Sequence, residues 1–408
     1  MEHIEGGVTA AKGFEAASTA AGIKYQGRTD MALIYSEMPC KAAGTFTTNV
    51  VKAAPVKWDR QLVESAASAH AIVVNSGIAN ACTGAEGMDC CQKTADAAAK
   101  VLGVDAKSVL VGSTGVIGMQ IPLDKIEAGI QQLAKEKKAD LASGSNAAEA
   151  IMTTDTCRKE KAVSFVTEDG TKVTIGGMAK GSGMIHPNMC TMLCFITTDA
   201  AISKEALQKA LSADIQDTFN MISIDGDTST NDTVLLLANG AAGNAEIQAG
   251  SKDYELFAQA LRQVTEYLAK KLAGDGEGAT ALFEVTIKGA ATKEQAKTLA
   301  KSVVCSNLTK TAIAGHDANW GRILCAMGYS GAQFDPEKVD LYFISEAGEL
   351  QIIENGVALP YSEEEATKIL SMPEVTAVAD IKEGDQEATA WGCDLTHEYV
   401  TINADYRS

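Results

Sequence analysis

The residue with the most chemical promise is Thr191, in the run Lys180-Gly-Ser-Gly-Met-Ile-His-Pro-Asn-Met-Cys-Thr-Met-Leu-Cys-Phe-Ile-Thr-Thr-Asp199. Inside an unbroken chain it is an ordinary β-branched residue heading an apolar strand, Met192–Ile196, and most threonines so placed are nothing more. At a chain terminus its chemistry changes. A hydroxyl alone is a weak nucleophile. A free α-amino group on the same residue, with a pKa of about 7.7–8, can act as its general base at neutral pH. Breaking the Cys190–Thr191 bond would supply that amine. The Thr191 hydroxyl would itself attack the scissile carbonyl, giving an ester that water then opens. Such a nucleophile needs no histidine or aspartate partner, in keeping with a chain that shows no evident Ser–His–Asp pattern. The glycines at the start of the run do not make a phosphate cradle. They do not follow GxxxxGK[ST], and Pro187 stands where a helix should begin.

A developing negative charge needs donors. Val111-Gly-Ser-Thr-Gly-Val-Ile-Gly118 follows an expected strand, and its small residues can aim the Thr114 hydroxyl and the Gly115 N–H at an oxyanion. One such donor is worth about 10²–10³ in rate, although most Gly-Ser-Thr-Gly loops are only turns. Asp225-Gly-Asp-Thr-Ser-Thr-Asn-Asp232 tempts a calcium reading. Counted as an EF-hand loop from Asp225, it has Thr230 in place of the required glycine and Leu236 in place of the bidentate glutamate, so it is read as a polar turn near the site. In Gly274-Asp-Gly-Glu-Gly278, Glu277 could bind a substrate ammonium or simply sit in a turn. The end of the chain, Asn403-Ala-Asp-Tyr-Arg-Ser408, reads by composition as a frayed tail.

These segments must be held by a layered fold. Ala71–Asn75 and Val109–Gly112 read as short buried strands. Leu123–Lys138 reads as a surface helix. Ser203 looks like an N-cap for a helix with Leu207, Leu211, Ile215 and Phe219 on one face, and Tyr254–Leu272 repeats that pattern. Phe283–Lys288 alternates like a half-exposed strand, Thr292–Val304 is helical, and strands Val339–Ile344 and Leu350–Ile353 follow around a turn at 346–349. The mixture predicts an α/β or α+β protein of stacked sheets and helices. A chain of 408 residues suggests two or three domains, with a boundary near residues 275–290.

Composition narrows the partners. The net charge of −18 repels phosphate backbones, so nucleic acid is not an expected partner. The longest apolar runs, such as Val234–Ala238, fall far short of the roughly 18 residues a spanning helix needs, and Met1–Phe14 has no apolar core, so neither membrane nor secretion is expected. The ten cysteines contain no CxxC, and the five histidines are dispersed. The spacing predicts reduced thiols, a cytoplasmic location and no local metal motif.

Taken together, the motifs resemble the glutamate N-acetyltransferase family, also called ornithine acetyltransferase, of arginine biosynthesis. The resemblance runs end to end. It includes Gly6-Gly-Val-Thr-Ala-Ala-Lys-Gly-Phe14, Asn75-Ser-Gly-Ile-Ala-Asn-Ala-Cys-Thr-Gly84, Ser113-Thr-Gly-Val-Ile-Gly118 and Lys180-Gly-Ser-Gly-Met-Ile185. It continues through Asp225–Asp232, Gly276-Glu-Gly-Ala-Thr280, Asp317-Ala-Asn-Trp-Gly-Arg322 and Tyr399–Ser408. It implies an α/β fold of layered sheets and helices in two domains, of the self-cleaving N-terminal-nucleophile type. Residues 1–280 would form the larger domain, cleaved at 190/191, and 281–408 the smaller one, with its tail reaching the active site. The resemblance makes Thr191 the nucleophile and Thr114 and Gly115 the oxyanion donors. Thr154, Lys180, Thr191, Glu277, Asn403 and Ser408 become the substrate contacts. It implies acetyl transfer from N2-acetylornithine to glutamate, no cofactor, and an α2β2 assembly of the cleaved halves. The chain departs from the family's habit in having Cys190 where alanine is common, and His186 where a small residue is frequent. Three rivals stay open: an enzyme that also takes acetyl from acetyl-CoA, an amidohydrolase that passes the acyl group to water, and an uncleaved binding protein of the same fold.

Overall fold

Strand Thr233–Ala238 carries apolar residues on both faces: Val234, Leu236 and Ala238 belong to one hydrophobic core, and Leu235 and Leu237 to another. A strand buried on both sides reads as a continuous apolar run, and it requires a layer above and a layer below. The structure, a computed structural model, describes residues 1–186 and 192–405 and supplies both layers. Among the described residues nine strands form the first sheet. Its order is Glu2–Ile4, Lys159–Val166, Lys172–Lys180, Leu193–Thr198, Thr233–Ala238, Met31–Phe46, Ala69–Ile78 and Val109–Val116, with Phe14–Thr19 paired to Met31–Phe46. Helices Lys204–Ile215 and Lys252–Gly274 contribute Leu207, Leu211, Val264 and Leu268 to the first core. Helices Ala54–Ser65, Gly84–Leu102 and Leu123–Glu136 contribute Val56, Ala95 and Ile130 to the second.

The second sheet has seven strands among the described residues, in the order Val357–Ala358, Gly348–Glu354, Asp340–Ser345, Glu374–Asp380, Leu282–Ala290, Gln386–Cys393 and Ile222–Ser223. Helix Lys252–Gly274 packs against strands of both sheets. It therefore ties them into one apolar layer, which holds Phe257 and Leu272 beside Phe283 and Ala390. The α/β class of layered sheets and helices read from the sequence is the class observed.

Local signals placed most elements well. Ser203 and Thr292 cap their helices, accepting from the N–H of Ala206 and Gln295. One helix is shorter than its apolar pattern. It stops at Ile215, and Phe219 lies in a separate 3₁₀ turn, Phe219–Met221. Thr218 breaks the run, turning its hydroxyl back to the Asp214 carbonyl at 3.0 Å. The frayed tail read from composition is corrected for residues 403–405, which end the helix His397–Asp405, while residues 406–408 lie outside the described residues. Asp394, accepting from the Thr280 and Ala281 N–H groups, pins the strand that leads to it, and Thr396 Oγ1 donates to the Gly278 carbonyl at 2.7 Å.

Candidate active site

The site forms where strands end. Strands Ala69–Ile78 and Val109–Val116 run parallel, and their ladder shifts register between Gly77 and Ile78. Gly115 has φ +129°, and a Cβ there would fall 2.3 Å from the Gly77 carbonyl carbon. Only glycine allows the two backbones to approach this closely. Side chains lock the arrangement from behind. Ser113 Oγ donates to Asn75 Oδ1 at 2.7 Å, and Asn231 Nδ2 donates to the carbonyls of Ala79 (2.6 Å) and Ser113 (2.8 Å). Asn231 belongs to the polar turn 225–232, which thus braces the Thr114–Gly115 loop.

Lys180 ends strand Lys172–Lys180 of the same sheet, opposite Leu193 in the ladder. Its Nζ donates to Thr153 Oγ1 at 2.7 Å and Thr114 Oγ1 at 3.3 Å, and lies 3.8 Å from Asp155 Oδ2. With Lys180 donating to the Thr114 oxygen, the one proton of that hydroxyl is free to point into the cavity. Burial pushes the Lys180 ammonium down, while Asp155, Glu277 and Asp232 favour its charged form.

Beneath Lys180 lies a buried ion cluster that local sequence patterns did not reveal. Lys159, 1% exposed, donates to Asp155 at 2.7 Å and also to Asp275. Asp155 also accepts from the Gly181 N–H at 2.6 Å, and Asp275 accepts from the Thr156 N–H at 3.1 Å. Burial disfavours the Asp155 carboxylate, but Lys180, Lys159 and the Gly181 N–H prevail and hold it at about 2. Because its folded value is depressed, its contribution is complete above the unfolded value near 3.8 and disappears as the pH falls to about 2. The expected contribution is about 2 kcal/mol. Denaturant midpoints followed from pH 5 to 2 should fall more steeply for the parent than for Asp155→Asn. Equal slopes would remove Asp155 from the acid response.

Glu277, 8% exposed, is set by its own N–H, which donates to the Ser182 carbonyl at 2.8 Å. Its Oε2 accepts from Asn403 Nδ2 at 2.7 Å. Asn403 reaches it because the terminal helix docks on Gly278 (φ +71°), where a Cβ would lie 2.7 Å from the Tyr399 nitrogen. Asp225 holds the facing segment, accepting from the N–H groups of Met184 (2.6 Å) and Ile185 (2.9 Å). Tyr399 Oη meets the same carboxylate at 3.3 Å.

One cavity of about 140 Å³ is lined by Thr114, Gly115, Thr154, Lys180, Glu277 and Asn403, residues drawn from segments up to 289 positions apart (403 − 114). Met192, which follows Thr191 in the chain, lines it too, and so do Thr153 and Asp232, which the sequence did not single out. Thr153 and Asp155 flank Thr154, and Asp232 closes the Asp225 segment, so the signal lay next to residues already noticed. Thr191, Cys190 and Ser408 lie outside the described residues. His186 does not line the cavity. Its Nδ1 faces Ser223 Oγ at 3.1 Å and Cys305 Sγ at 3.5 Å, and burial lowers its pKa.

A family profile described as the ArgJ family matches residues 15–408. The arginine biosynthesis bifunctional protein ArgJ of Thermotoga neapolitana is 50% identical over 398 residues, 97% of this chain and 99% of that one. The protein of the same name from Symbiobacterium thermophilum is 52% identical over 410 residues, 100% of both chains. Among solved structures, the arginine biosynthesis bifunctional protein argJ of Bacillus halodurans is 46% identical, covering 52% of this chain and 97% of that chain with a TM-score of 0.49.

Proposed function

The chain belongs to the ArgJ family, and on that premise we propose that it moves an acetyl group from N2-acetylornithine to glutamate through an acetyl-Thr191 ester. Thr191 is first freed by cleavage of the Cys190–Thr191 bond. Its α-amino group then takes the hydroxyl proton as the oxygen attacks the acetyl carbonyl. The Thr114 hydroxyl and Gly115 N–H hold the oxyanion, and ornithine leaves. Glutamate enters the same pocket and its amine takes the acetyl group. Lys180 reads a carboxylate, Glu277 with Asn403 reads an ammonium, and Thr154 and Ser408 complete the contacts. The observation that carries this reading is the single cavity shared by Thr114, Gly115, Thr154, Lys180, Glu277 and Asn403 beside Met192.

The relatives' name, bifunctional, favours a second donor, and we assign that role to acetyl-CoA, with no bound cofactor. The same proposal places the protein in the cytoplasm as an α2β2 assembly of cleaved halves, with domains 1–280 and 281–408. The test is incubation with N-acetylornithine and glutamate, with and without acetyl-CoA, while N-acetylglutamate is measured. Formation only with acetylornithine restricts the enzyme to one donor. Acetate without N-acetylglutamate makes it a hydrolase.

The terminal helix provides a separable prediction. Asn403→Ala removes the amide that holds Glu277 but no group needed at the 190/191 bond. Two pieces should still appear on a denaturing gel. KM for acetylornithine and glutamate should rise roughly tenfold to a hundredfold, as expected for about 1.5–3 kcal/mol from a hydrogen bond to a charged group. An unchanged KM would return the helix to a purely structural role.

A further inference from the structure

Asp232 is 1% exposed, lines the active-site cavity, and has no hydrogen-bond partner among the described residues at either carboxylate oxygen. Among the described residues it alone is buried with both carboxylate oxygens unpartnered. Its backbone is firmly held. The Asp232 carbonyl accepts from the Thr47 N–H at 2.9 Å, and the next residue, Thr233, donates its N–H to the Met192 carbonyl at 2.9 Å. Asn231, on its other side, bonds the carbonyls that shape the Thr114 loop. A rigid, buried carboxyl without a partner among the described residues is costly to a fold, so its retention beside reacting groups points to a donor or cation of the reaction as its occupant.

The surroundings define that occupant. Lys180 is the cation on the cavity wall, already bonded to Thr153 and Thr114, and Glu277 is bonded to Asn403. The open valence in the cavity is therefore that of an acid facing a donor or a cation. Burial pushes the Asp232 carboxyl well above the usual carboxylate range, and the Ser229 and Thr47 hydroxyls, which stand close by without hydrogen-bond geometry, and the Lys180 ammonium oppose it only in part. Such a group holds its proton below its raised pKa and gives it up more readily when an ammonium lies against it.

Resting on the acyl-transfer reading above, we infer that Asp232 carries the proton that must pass between the two amines of the reaction. Ornithine is released from the amide as a free amine and departs as an ammonium, while glutamate arrives as an ammonium and can attack only as a free amine. In the first half-reaction the Thr191–acetyl ester forms and the amide C–N bond breaks, the Thr191 hydroxyl proton passing through the α-amino group to the departing nitrogen. Protonated Asp232 gives the freed amine its proton, so that ornithine leaves as an ammonium and Asp232 stays behind as a carboxylate. In the second, the Asp232 carboxylate takes one proton from the glutamate ammonium. The free amine attacks the ester carbonyl, the Thr191 oxygen leaves with the second amine proton, and Asp232 is protonated again. Protons and charge balance over the cycle with no further reactant.

The test compares two acceptors on the acetylated enzyme, formed with N-acetylornithine and freed of ornithine. Glutamate must lose a proton before it attacks, whereas hydroxylamine is already a neutral nucleophile at neutral pH. In Asp232→Asn, deacylation by glutamate should slow by about a hundredfold or more at pH 7, as for loss of a general base. Deacylation by hydroxylamine should stay within about threefold. The glutamate rate of the variant should climb about tenfold per pH unit as free amine accumulates, while the parent's rate, relative to hydroxylamine, stays flat above the carboxyl's pKa. Equal slowing with both acceptors, or no slowing with glutamate, overturns the role of Asp232. Should the variant fail to cleave, the parent alone decides: a glutamate-to-hydroxylamine ratio that rises tenfold per pH unit all the way to the pKa of the glutamate amine, with no plateau before it, overturns it as well. A parent that never carries acetyl on residues 191–408 instead overturns the acyl-enzyme reading and this inference with it.

Discussion

Replacing Thr191 by Ala is expected to leave one intact chain of 408 residues with no measurable transfer. The hydroxyl is needed twice: once against its own preceding carbonyl and once against the acetyl group of the substrate. The α-amino base exists only after the first event, so the loss cannot be split into a small part for cleavage and a small part for turnover. Removing a nucleophile of this kind costs about 10⁴-fold or more. On a denaturing gel the parent should run as two pieces, 1–190 and 191–408, and terminal sequencing of the second should begin Thr-Met-Leu-Cys. A fully active, unbroken parent would end the proposal. The described cavity residues are untouched by the substitution, so Thr191→Ala should still be raised in Tm by N-acetylornithine if its tertiary structure persists. Thr191→Ser keeps both the hydroxyl and the later amine and should cleave and turn over at a reduced rate.

The division between what the sequence disclosed and what it withheld follows the range of the interactions. Strand Val109–Val116 is visible locally as an apolar run that stops at Gly-Ser-Thr-Gly, a turn in most chains, and the oxyanion role of its loop is what the family resemblance implies. The cap at Ser203 is visible because the acceptor and the N–H lie three residues apart. The Lys159–Asp275 contact spans 116 residues and the Asn403–Glu277 contact 126, and no local period records either. Asp155 lies four residues before Lys159 and could be guessed as its partner, but nothing nearby announces that Asp275 completes the cluster. The terminal helix is a sharper case. Its polar sequence looks frayed by composition, and it is positioned by Gly278, whose missing side chain has meaning only once Tyr399 is known to lie against it. Asn403 lines the cavity; the substrate contact that the family resemblance implies for it is what Asn403→Ala tests. Asp232 has no local signal, because an aspartate in Thr-Asn-Asp-Thr reads as a turn residue and lack of a partner is a property of the folded surroundings alone.

Gly115→Ala is the substitution expected to do most damage for one added methyl group. The new Cβ would lie 2.3 Å from the Gly77 carbonyl carbon, 2.4 Å from its oxygen and 2.7 Å from the Ile78 nitrogen, all backbone atoms that cannot rotate aside. The φ of +129° adds strain that any L side chain would feel. Relief requires the two parallel strands to separate at their ends, where Asn231 clamps both through the carbonyls of Ala79 and Ser113. The Gly115 N–H would then no longer converge with the Thr114 hydroxyl. Losing one donor costs about 10²–10³ in rate, and misplacing both should approach the square of that. Cleavage at 190/191 and acetyl transfer share a tetrahedral oxyanion, so both should fail together, with the chain recovered mostly unbroken. Thr114→Ala provides the scale. It removes a single donor without moving the backbone, so it should slow both steps by about 10²–10³ and leave the Tm nearly unchanged. If Gly115→Ala cleaves normally and transfers acetyl at the parent's rate, the loop at 114–115 is not the oxyanion site, and the donors must be sought elsewhere on the cavity wall.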